Sequence, residues 1–373
     1  MKGLLERIEE VLQKKTKENK LALLIVEIEE MYKLIDFYGK EKQLRDKRER
    51  GMTTTIEEKI DSIKKEMKEI IDNKHLYIAF SGGMDSTVVA LLAKDIFSKS
   101  KITLVNVCFG GYSYSKGLEA VLTLSKQLGL KLFFSRGEEE QEEIMYHGPN
   151  CNQCTRIVKI GKVKQFSYKG IVASGANLSD SWGNTGIKFF NGIYSPLLNL
   201  NKEEIREILE YYNMKIPKIG ENNIREGCKY KHLLKMSVNR DYHSRADIIA
   251  NEVIHDVLDF YDVQRDIANV KIVGPLSKNI ALINVKPLPS KKILEEIKRL
   301  LQNEDTIDFV DIVDSALKLK ILVNPGIYNN EESKYWILNG RLAPEFAMPI
   351  SAEWVKSSNY KLWTFAVVDY KKL

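Results

Sequence analysis

The sequence predicts an α/β fold: a parallel sheet with helices on both faces, a helical N-terminal extension and a small α+β C-terminal domain. Three observations predict it. From residue 75, short apolar β-branched runs alternate with helical segments, the pattern of a parallel sheet covered by helices. Glycine-containing turns follow two of those runs, where such sheets bind ligands. The pattern changes before residue 74 and after about 240, giving segments 1–73, 74–238 and 239–373.

Residues 1–73 hold 17 basic and 17 acidic residues and are neutral. Residues 3–14 and 20–38 have helical apolar spacing, as at Leu4, Leu5, Ile8 and Leu12. Residues 40–50 (KEKQLRDKRER) carry six basic and three acidic residues, fitting a solvated helix or linker, or an arm that contacts phosphates. Thr53 to Thr55 followed by Glu57 reads as a helix start, with helix over 56–72. The run HLYIAF (75–80) reads as a buried strand, and SGGMDS follows it. A helix is expected from Ser86 to Phe97, then strand 102–109, helix 116–128 and strand 130–135. GIVASGAN (170–177) is a fourth strand ending in a Gly/Asn turn. Further on come a helix over 244–266, a strand at 279–286, a helix at 290–302 and strands near 307–313 and 317–323. Trp336, Trp354 and Trp363 mark a folded tail.

Composition narrows the function classes. Of 373 residues 44% are hydrophobic and 29% charged, which excludes a wholly disordered chain. Apolar runs stay far below the ~18–20 residues of a membrane span, so no membrane partner is expected. The start, MKGLLERIEE, lacks the apolar core of a signal peptide, and a soluble cytoplasmic protein is expected. Four cysteines are too few for a disulfide scaffold. The net charge of +6 suits an anionic partner without demanding one.

Ser81-Gly82-Gly83-Met84-Asp85-Ser86 stands between a strand and a helix. Two glycines permit a tight turn, and the helix start offers backbone N–H groups with the positive end of its dipole. Together these make an anion site of phosphate size, with Ser81, Ser86 and Thr87 adding hydroxyls. Asp85 is out of place beside phosphates unless it shares a cation or serves as a helix-start acid. The plain alternative is an ordinary strand–turn–helix bend. The string is not a Walker A loop, since no G-K-S/T follows. It resembles the SGGxDS loop of the PP-loop ATP pyrophosphatases, a superfamily that splits ATP to AMP and pyrophosphate while adenylating a substrate oxygen. The resemblance implies an adenine-nucleotide alpha-hydrolase-like domain. It also implies that Ser81, Gly82, Gly83, Asp85 and Ser86 bind pyrophosphate with Mg²⁺ nearby.

Cys151-Asn152-Gln153-Cys154 is a CxxC, and Cys228 follows 74 residues after Cys154. Cys108 lies in a strand and reads as a buried small hydrophobe. The other three fit unrelated buried thiols, a redox or persulfide-carrying pair, structural zinc with His232 as fourth ligand, or a 4Fe–4S cluster with one iron open. A PP-loop, a CxxC and one downstream Cys together resemble the cluster-dependent sulfurtransferases, which include tRNA thiolases and one branch of the lactate-racemase cofactor sulfurtransferases. GANLSD resembles that branch's G-T-N-x-D-D at Gly175, Asn177 and Asp180. SPLLNLNKEEIREIL resembles its S-P-L-x(4)-K-x-E-I-R at Ser195, Pro196, Leu197, Lys202, Glu204, Ile205 and Arg206. KIP (215–217) followed by Cys228 resembles its P…C-L-a-S-R segment. The resemblance covers about residues 75–235. Its Arg-Pro-Gly is replaced by GNTG (183–186), and its Arg after the third cysteine is absent, with Lys229 or Lys231 as substitutes.

The resemblance implies an ATP-dependent sulfurtransferase. Asp85, Cys151, Cys154 and Cys228 are its catalytic residues, and the three cysteines hold a 4Fe–4S cluster or, alternatively, zinc. Ser81, Gly82, Gly83, Asp85, Ser86, Phe109, Gly175, Asn177, Asp180 and Lys202 bind ATP, with adenine near Val107–Phe109. Its partners are ATP, a sulfur donor (sulfide or a persulfide carrier) and an acceptor tRNA or small molecule. Basic residues near the cysteines fit solubilising surface or a phosphate-rich acceptor: Arg156, Lys159, Lys162, Lys164 and Lys169, then Lys215, Lys218, Arg225, Lys229, Lys231 and Lys235 against Glu221 and Glu226. His147 reads as a hydrogen-bonded loop residue or a cluster neighbour. Tyr112 and Tyr114 read as core or as lining of a nucleotide pocket. The front helices suit a homodimer interface or a cap over the site. The competing readings are a PP-loop amide-forming ligase with structural zinc, and a non-catalytic nucleotide- or RNA-binding protein.

Overall fold

A computed structural model describes residues 55–179, 186–217 and 227–373. The expected helices at 3–14 and 20–38, the basic stretch 40–50, Thr53, Asp180, most of GNTG, Lys218, Glu221, Arg225 and Glu226 lie outside the described residues.

The first described helix, α1, spans Ile56–Ile71. Its start is a reciprocal cap: Thr55 N donates to a Glu58 carboxylate oxygen (2.9 Å), and Glu58 N donates to Thr55 Oγ1 (3.3 Å). Glu58, three residues past the cap, does this work rather than Glu57, because only that position reaches back to the cap amide.

The large sheet is built from β1 (Leu76–Ala79), β2 (Ile102–Cys108), β3 (Lys131–Arg136), β4 (Ile171–Ala173), β5 (Phe189–Phe190) and β6 (Ile193–Tyr194). Its order is β3-β2-β1-β4-β6-β5, parallel except for the β5–β6 pair. The chain winds outward from β1 to β3 through α2 (Met84–Ile96) and α3 (Ser115–Leu128). It then returns to β4 on the other side of β1. Right-handed crossovers put the outward and return helices on opposite faces. The return passes α4 (Glu138–Tyr146), a continuous helical run of α5 (Cys151–Gln153), a π-helical stretch (Cys154–Ile160) and α6 (Gly161–Phe166). α2 is apolar on nearly all sides, and Val88 to Ala93 are all buried. The switch point of the sheet lies between β1 and β4, where such folds bind ligands. Beyond β6, α7 spans Lys202–Tyr211.

The C-terminal part holds α8 (Arg245–Phe260) and two three-stranded sheets. One contains β7 (Ile267–Val273), β8 (Ile280–Lys286) and β9 (Phe309–Ile312), backed by α9 (Lys291–Gln302). The other contains β10 (Leu317–Val323), β11 (Ile350–Lys356) and β12 (Phe365–Lys372). Between β10 and β11 lie α10 (Pro325–Tyr328) and α11 (Glu331–Tyr335). The helix expected over 244–266 stops at Phe260, because Asp262 turns into the left-handed region at φ 50°. Strands β7, β11 and β12 were not expected from the sequence. Cys108, expected to be buried, is half-exposed at the end of β2. Residues 60–373 form one compact unit, and a single core joins Phe109, Tyr112 and Cys154 to Ile254, Val270 and Ile283. Tyr112 and Tyr114 belong to the core, with the Tyr112 ring stacked on Tyr230 at 3.8 Å.

Candidate active site

Five parallel strands end on one edge of the sheet, and the candidate residues follow those ends. Phe80 N still bonds Val105 O, so the pairing with β2 continues one residue past β1 before the loop begins. Gly82 then takes φ 68°, a conformation glycine adopts at no steric cost. α2 starts at Met84, which puts Asp85 and Ser86 in its first turn, two residues earlier than expected. Gly83 is the N-cap and no side chain caps the helix, so its leading N–H groups face the loop. The hydroxyls fold the loop on itself. Ser81 Oγ accepts from Gly83 N (3.3 Å) and lies 3.3 Å from Ser86 Oγ; Ser86 Oγ and Thr87 Oγ1 donate to Gly83 O (3.2 and 2.8 Å).

Asp85 is both an acid in the first turn of α2 and the partner of a cation from the chain itself. Lys202 Nζ lies 3.0 and 2.8 Å from the two Asp85 carboxylate oxygens. Lys202 is the first residue of α7, fixed by a capping box in which Asn201 Oδ1 accepts from Glu204 N (2.9 Å) and Asn201 N donates to Glu204 (2.8 Å). Gly175, just past β4, packs on the same spot. A Cβ there would stand 2.9 Å from Asp85 Cβ and 3.1 Å from Ser86 N. Asn177 is fully buried and turns the chain, accepting from Ser179 N (3.0 Å) and donating to Gly175 O (3.3 Å). Ser195 ties its segment to β4 through Ser174 (2.9 Å). The structure thus gathers Ser81, Gly82, Gly83, Asp85, Ser86, Gly175 and Lys202 around one loop.

Phe109 follows β2 and is buried, with Lys159 Nζ 5.9 Å from its ring centre. Gly137 follows β3 and sits against Val107, Phe109 and Val158, with no room for a Cβ. One turn later in α4 stands Gln141, which the sequence analysis missed because a lone amide carries no motif. Gln141 Nε2 donates to Cys228 Sγ (3.1 Å) and to Cys154 Sγ (3.6 Å), joining cysteines 74 positions apart. Cys151 opens the same helical run, which Asn150 Oδ1 caps at Gln153 N (3.1 Å). Cys154 begins the π-helical stretch, a distortion common at functional sites.

Burial pushes the Cys154 thiol up, and dense surrounding protein pushes that of Cys228 up to about 12, while the Lys159 ammonium pulls both down. Among the described residues, no three of His, Cys, Asp and Glu stand at metal-binding spacing. The buried Gln141 Oε1 is left without a hydrogen-bond partner beside the thiols of Cys154 and Cys228. His232, the proposed fourth zinc ligand, forms no metal-binding group with the cysteines among the described residues, and its Nε2 is buried without a hydrogen-bond partner. It is fully buried, and its Nδ1 accepts from Lys271 Nζ (2.9 Å).

The basic stretch near Cys228 is not a surface patch as a whole. Lys229 Nζ is buried on Gly111 O (2.7 Å) and Ser113 O (3.2 Å), and Lys235 Nζ on Pro275 O (2.6 Å) and Lys278 O (2.7 Å). Neither can meet a polyanion. His147 is a held loop residue: it stacks on Trp363 at 3.7 Å and bonds Lys361 O (2.9 Å).

No helix among the described residues is long and apolar enough to cross a membrane. No curated protein matches the chain. Among solved structures it is similar to an NH3-dependent NAD synthetase from Campylobacter jejuni in complex with the nitrate ion, with 19% identity, 43% of this chain and 75% of that chain covered, and a TM-score of 0.37. Residues 55–144, which contain the SGGMDS loop, match the family model of NAD synthase, and this match supports the PP-loop superfamily and ATP-dependent adenylation chemistry.

Proposed function

We propose that the chain is an ATP-dependent sulfurtransferase that adenylates an acceptor oxygen and replaces it with sulfur, using the thiols of Cys151, Cys154 and Cys228. One observation carries this reading. Gln141 joins Cys154 to Cys228 beyond the ends of β2 and β3, on the sheet edge that also bears the SGGMDS loop after β1.

Ser81, Gly82, Gly83 and Ser86 take the pyrophosphate portion of ATP through N–H groups and hydroxyls. Lys202 holds Asp85 in place and offsets its charge beside the phosphates. Asp85 is the carboxylate that would hold Mg²⁺, which neutralises charge on the leaving pyrophosphate. Phe109, Gly175, Asn177 and Asp180 complete the nucleotide site. The acceptor oxygen attacks the α-phosphorus and the bond to pyrophosphate breaks. Bisulfide then attacks the adenylated carbon, and AMP leaves with the original oxygen. ATP, acceptor hydroxyl and bisulfide become thiolated acceptor, AMP and pyrophosphate. A 4Fe–4S cluster on the three cysteines would supply an open iron for sulfide. The acceptor is a tRNA or a small molecule.

The match of residues 55–144 favours a second reading, an amide-forming ligase in which ammonia takes the place of bisulfide and the cysteines are structural. One experiment separates them: ATP and Mg²⁺ with sulfide or ammonium and candidate acceptors, followed by AMP, pyrophosphate and product mass. Asp85→Ala abolishes pyrophosphate release, and Cys228→Ser abolishes sulfur transfer while sparing ATP binding. Unchanged release from Asp85→Ala sinks the nucleotide assignment. A product that gains nitrogen and no sulfur moves the ligase to the front.

A further inference from the structure

The segment after Cys228 is held from two sides: Lys229 and Tyr230 are fixed on Gly111, Ser113 and Tyr112 after β2, while the polar handles of Lys231 and His232 lead to one buried carboxylate in the C-terminal part of the chain. Cys228 heads the 3-10 turn Lys229–Lys231. Lys231 Nζ lies 2.8 Å from a Glu345 carboxylate oxygen. Arg341 binds the same oxygen and donates to Lys231 O (2.5 Å). His232 accepts from Lys271 Nζ (2.9 Å), and that ammonium meets the other Glu345 oxygen at 2.8 Å. The segment then pairs with β7, through Ile272 N to His232 O (3.0 Å) and Leu234 N to Ile272 O (2.9 Å).

Glu345 is itself fixed. It is 5% exposed, and its carbonyl accepts from Asn284 Nδ2 (2.8 Å). Burial opposes its ionisation, yet Lys271, Arg341 and Lys231 hold the carboxyl well below the usual carboxylate range. One carboxylate therefore faces three cations, two of which, Lys231 directly and Lys271 through His232, grip residues three and four places after Cys228. Breaking a buried ion pair on one side leaves uncompensated charge and is strongly destabilising locally. The cations left behind would repel one another, and the strain falls on Lys231 and His232, the end of the Cys228 turn that Glu345 holds.

We propose that Glu345 is a positioning residue for Cys228: through this one carboxylate the C-terminal part of the chain sets the third cysteine against Gln141 and Cys154. The proposal rests on the reading that the three cysteines act together, but its test does not use that activity. Purified full-length protein, without ATP or metal, is treated with iodoacetamide, and alkylation of each cysteine is followed by mass spectrometry. In Glu345→Gln, Cys228 reacts about tenfold faster than in the parent, while Cys154, buried on the other side of Gln141, and Cys108 keep their rates. Glu345→Asp, which keeps the charge, recovers a large part of the protection. If Glu345→Gln does not fold, Lys231→Met removes one contact and leaves the Lys271–Glu345 pair; a threefold rise at Cys228 alone is then expected. Equal acceleration of Cys154 and Cys228 would mean that Glu345 holds the whole fold, and no acceleration would mean that it holds nothing near Cys228. Either result overturns the proposal. Failure of the sulfur-transfer reading would show in the turnover assay and leave these alkylation rates untouched.

Discussion

Asp85 and Lys202 are each about a third exposed, so their ion pair adds little stability. Its weight lies in placement: two donor–acceptor distances fix where a carboxylate stands beside a phosphate-sized loop. Gly175 packs against the same position. Replacing it with alanine drives a methyl to within 2.9 Å of Asp85 Cβ and 3.1 Å of the Ser86 backbone, and backbone cannot swing away as a side-chain tip can. Overpacking of this kind costs about 1–3 kcal/mol. Gly175→Ala is therefore expected to weaken ATP binding about tenfold and to lower the unfolding midpoint slightly. Gly161→Ala is the control. That glycine starts α6 with open space where its Cβ would stand, so alanine should be neutral or stabilise by about 0.5–1 kcal/mol. Calorimetric titration with ATP and thermal unfolding of both variants check this. Equal binding by Gly175→Ala and the parent would separate Gly175 from the nucleotide loop.

At the scale of elements, α7 ties its own start to the function of the loop. Asn201 caps the helix and the next residue, Lys202, reaches Asp85. Asn201→Ala should cost about 1 kcal/mol, the usual worth of such a cap, and weaken ATP binding by loosening Lys202. Urea denaturation and ATP titration measure the two effects, and a loss of stability with full ATP affinity would uncouple them. The α/β half was legible in the sequence because its signals are local. Buried parallel strands read as unbroken apolar runs, and SGGMDS is contiguous. The C-terminal half was less legible where polar residues enter strands. β7 (IANVKIV) carries Asn269 and Lys271 inside the core, both used by partners far along the chain, so its apolar pattern is broken. Helix α8 read six residues too long because apolar spacing persists through Tyr261 and Val263, and only the backbone turn at Asp262 ends it. In the candidate site, the sequence motif named Lys202 but not its grip on Asp85. Gln141 and Glu345 had no local signal at all, since their partners come from other parts of the chain.

Over the whole molecule, the core that joins Phe109 and Cys154 to α8 and β7 encloses ionisable groups whose protonation the fold controls. Burial keeps three histidines neutral: His243 and His255 are lowered to about 4, and His232 is held well below the ordinary imidazole range by burial, with the Lys271 ammonium adding to the effect. Their folded values lie below the ordinary 6.5, so the unfolded chain binds more protons as pH falls below 6.5. The stability these residues contribute is complete above that value and is lost as pH falls toward 4. Asp247 has the opposite sign. Burial raises its carboxyl, the fold keeps its proton, and acidification favours the native state there. Three histidines against one aspartate leave a net loss on acidification. His243 and His255 should each account for roughly 2 kcal/mol less stability at pH 5 than at pH 7. Urea unfolding at pH 7, 6 and 5 should show the midpoint falling through this range. His243→Gln should flatten the dependence by about one proton, because the amide has no charge to acquire. A dependence as steep in His243→Gln as in the parent would mean that His243 takes up its proton in the folded state. The core around β7 and α8 would then have to open to water near pH 6.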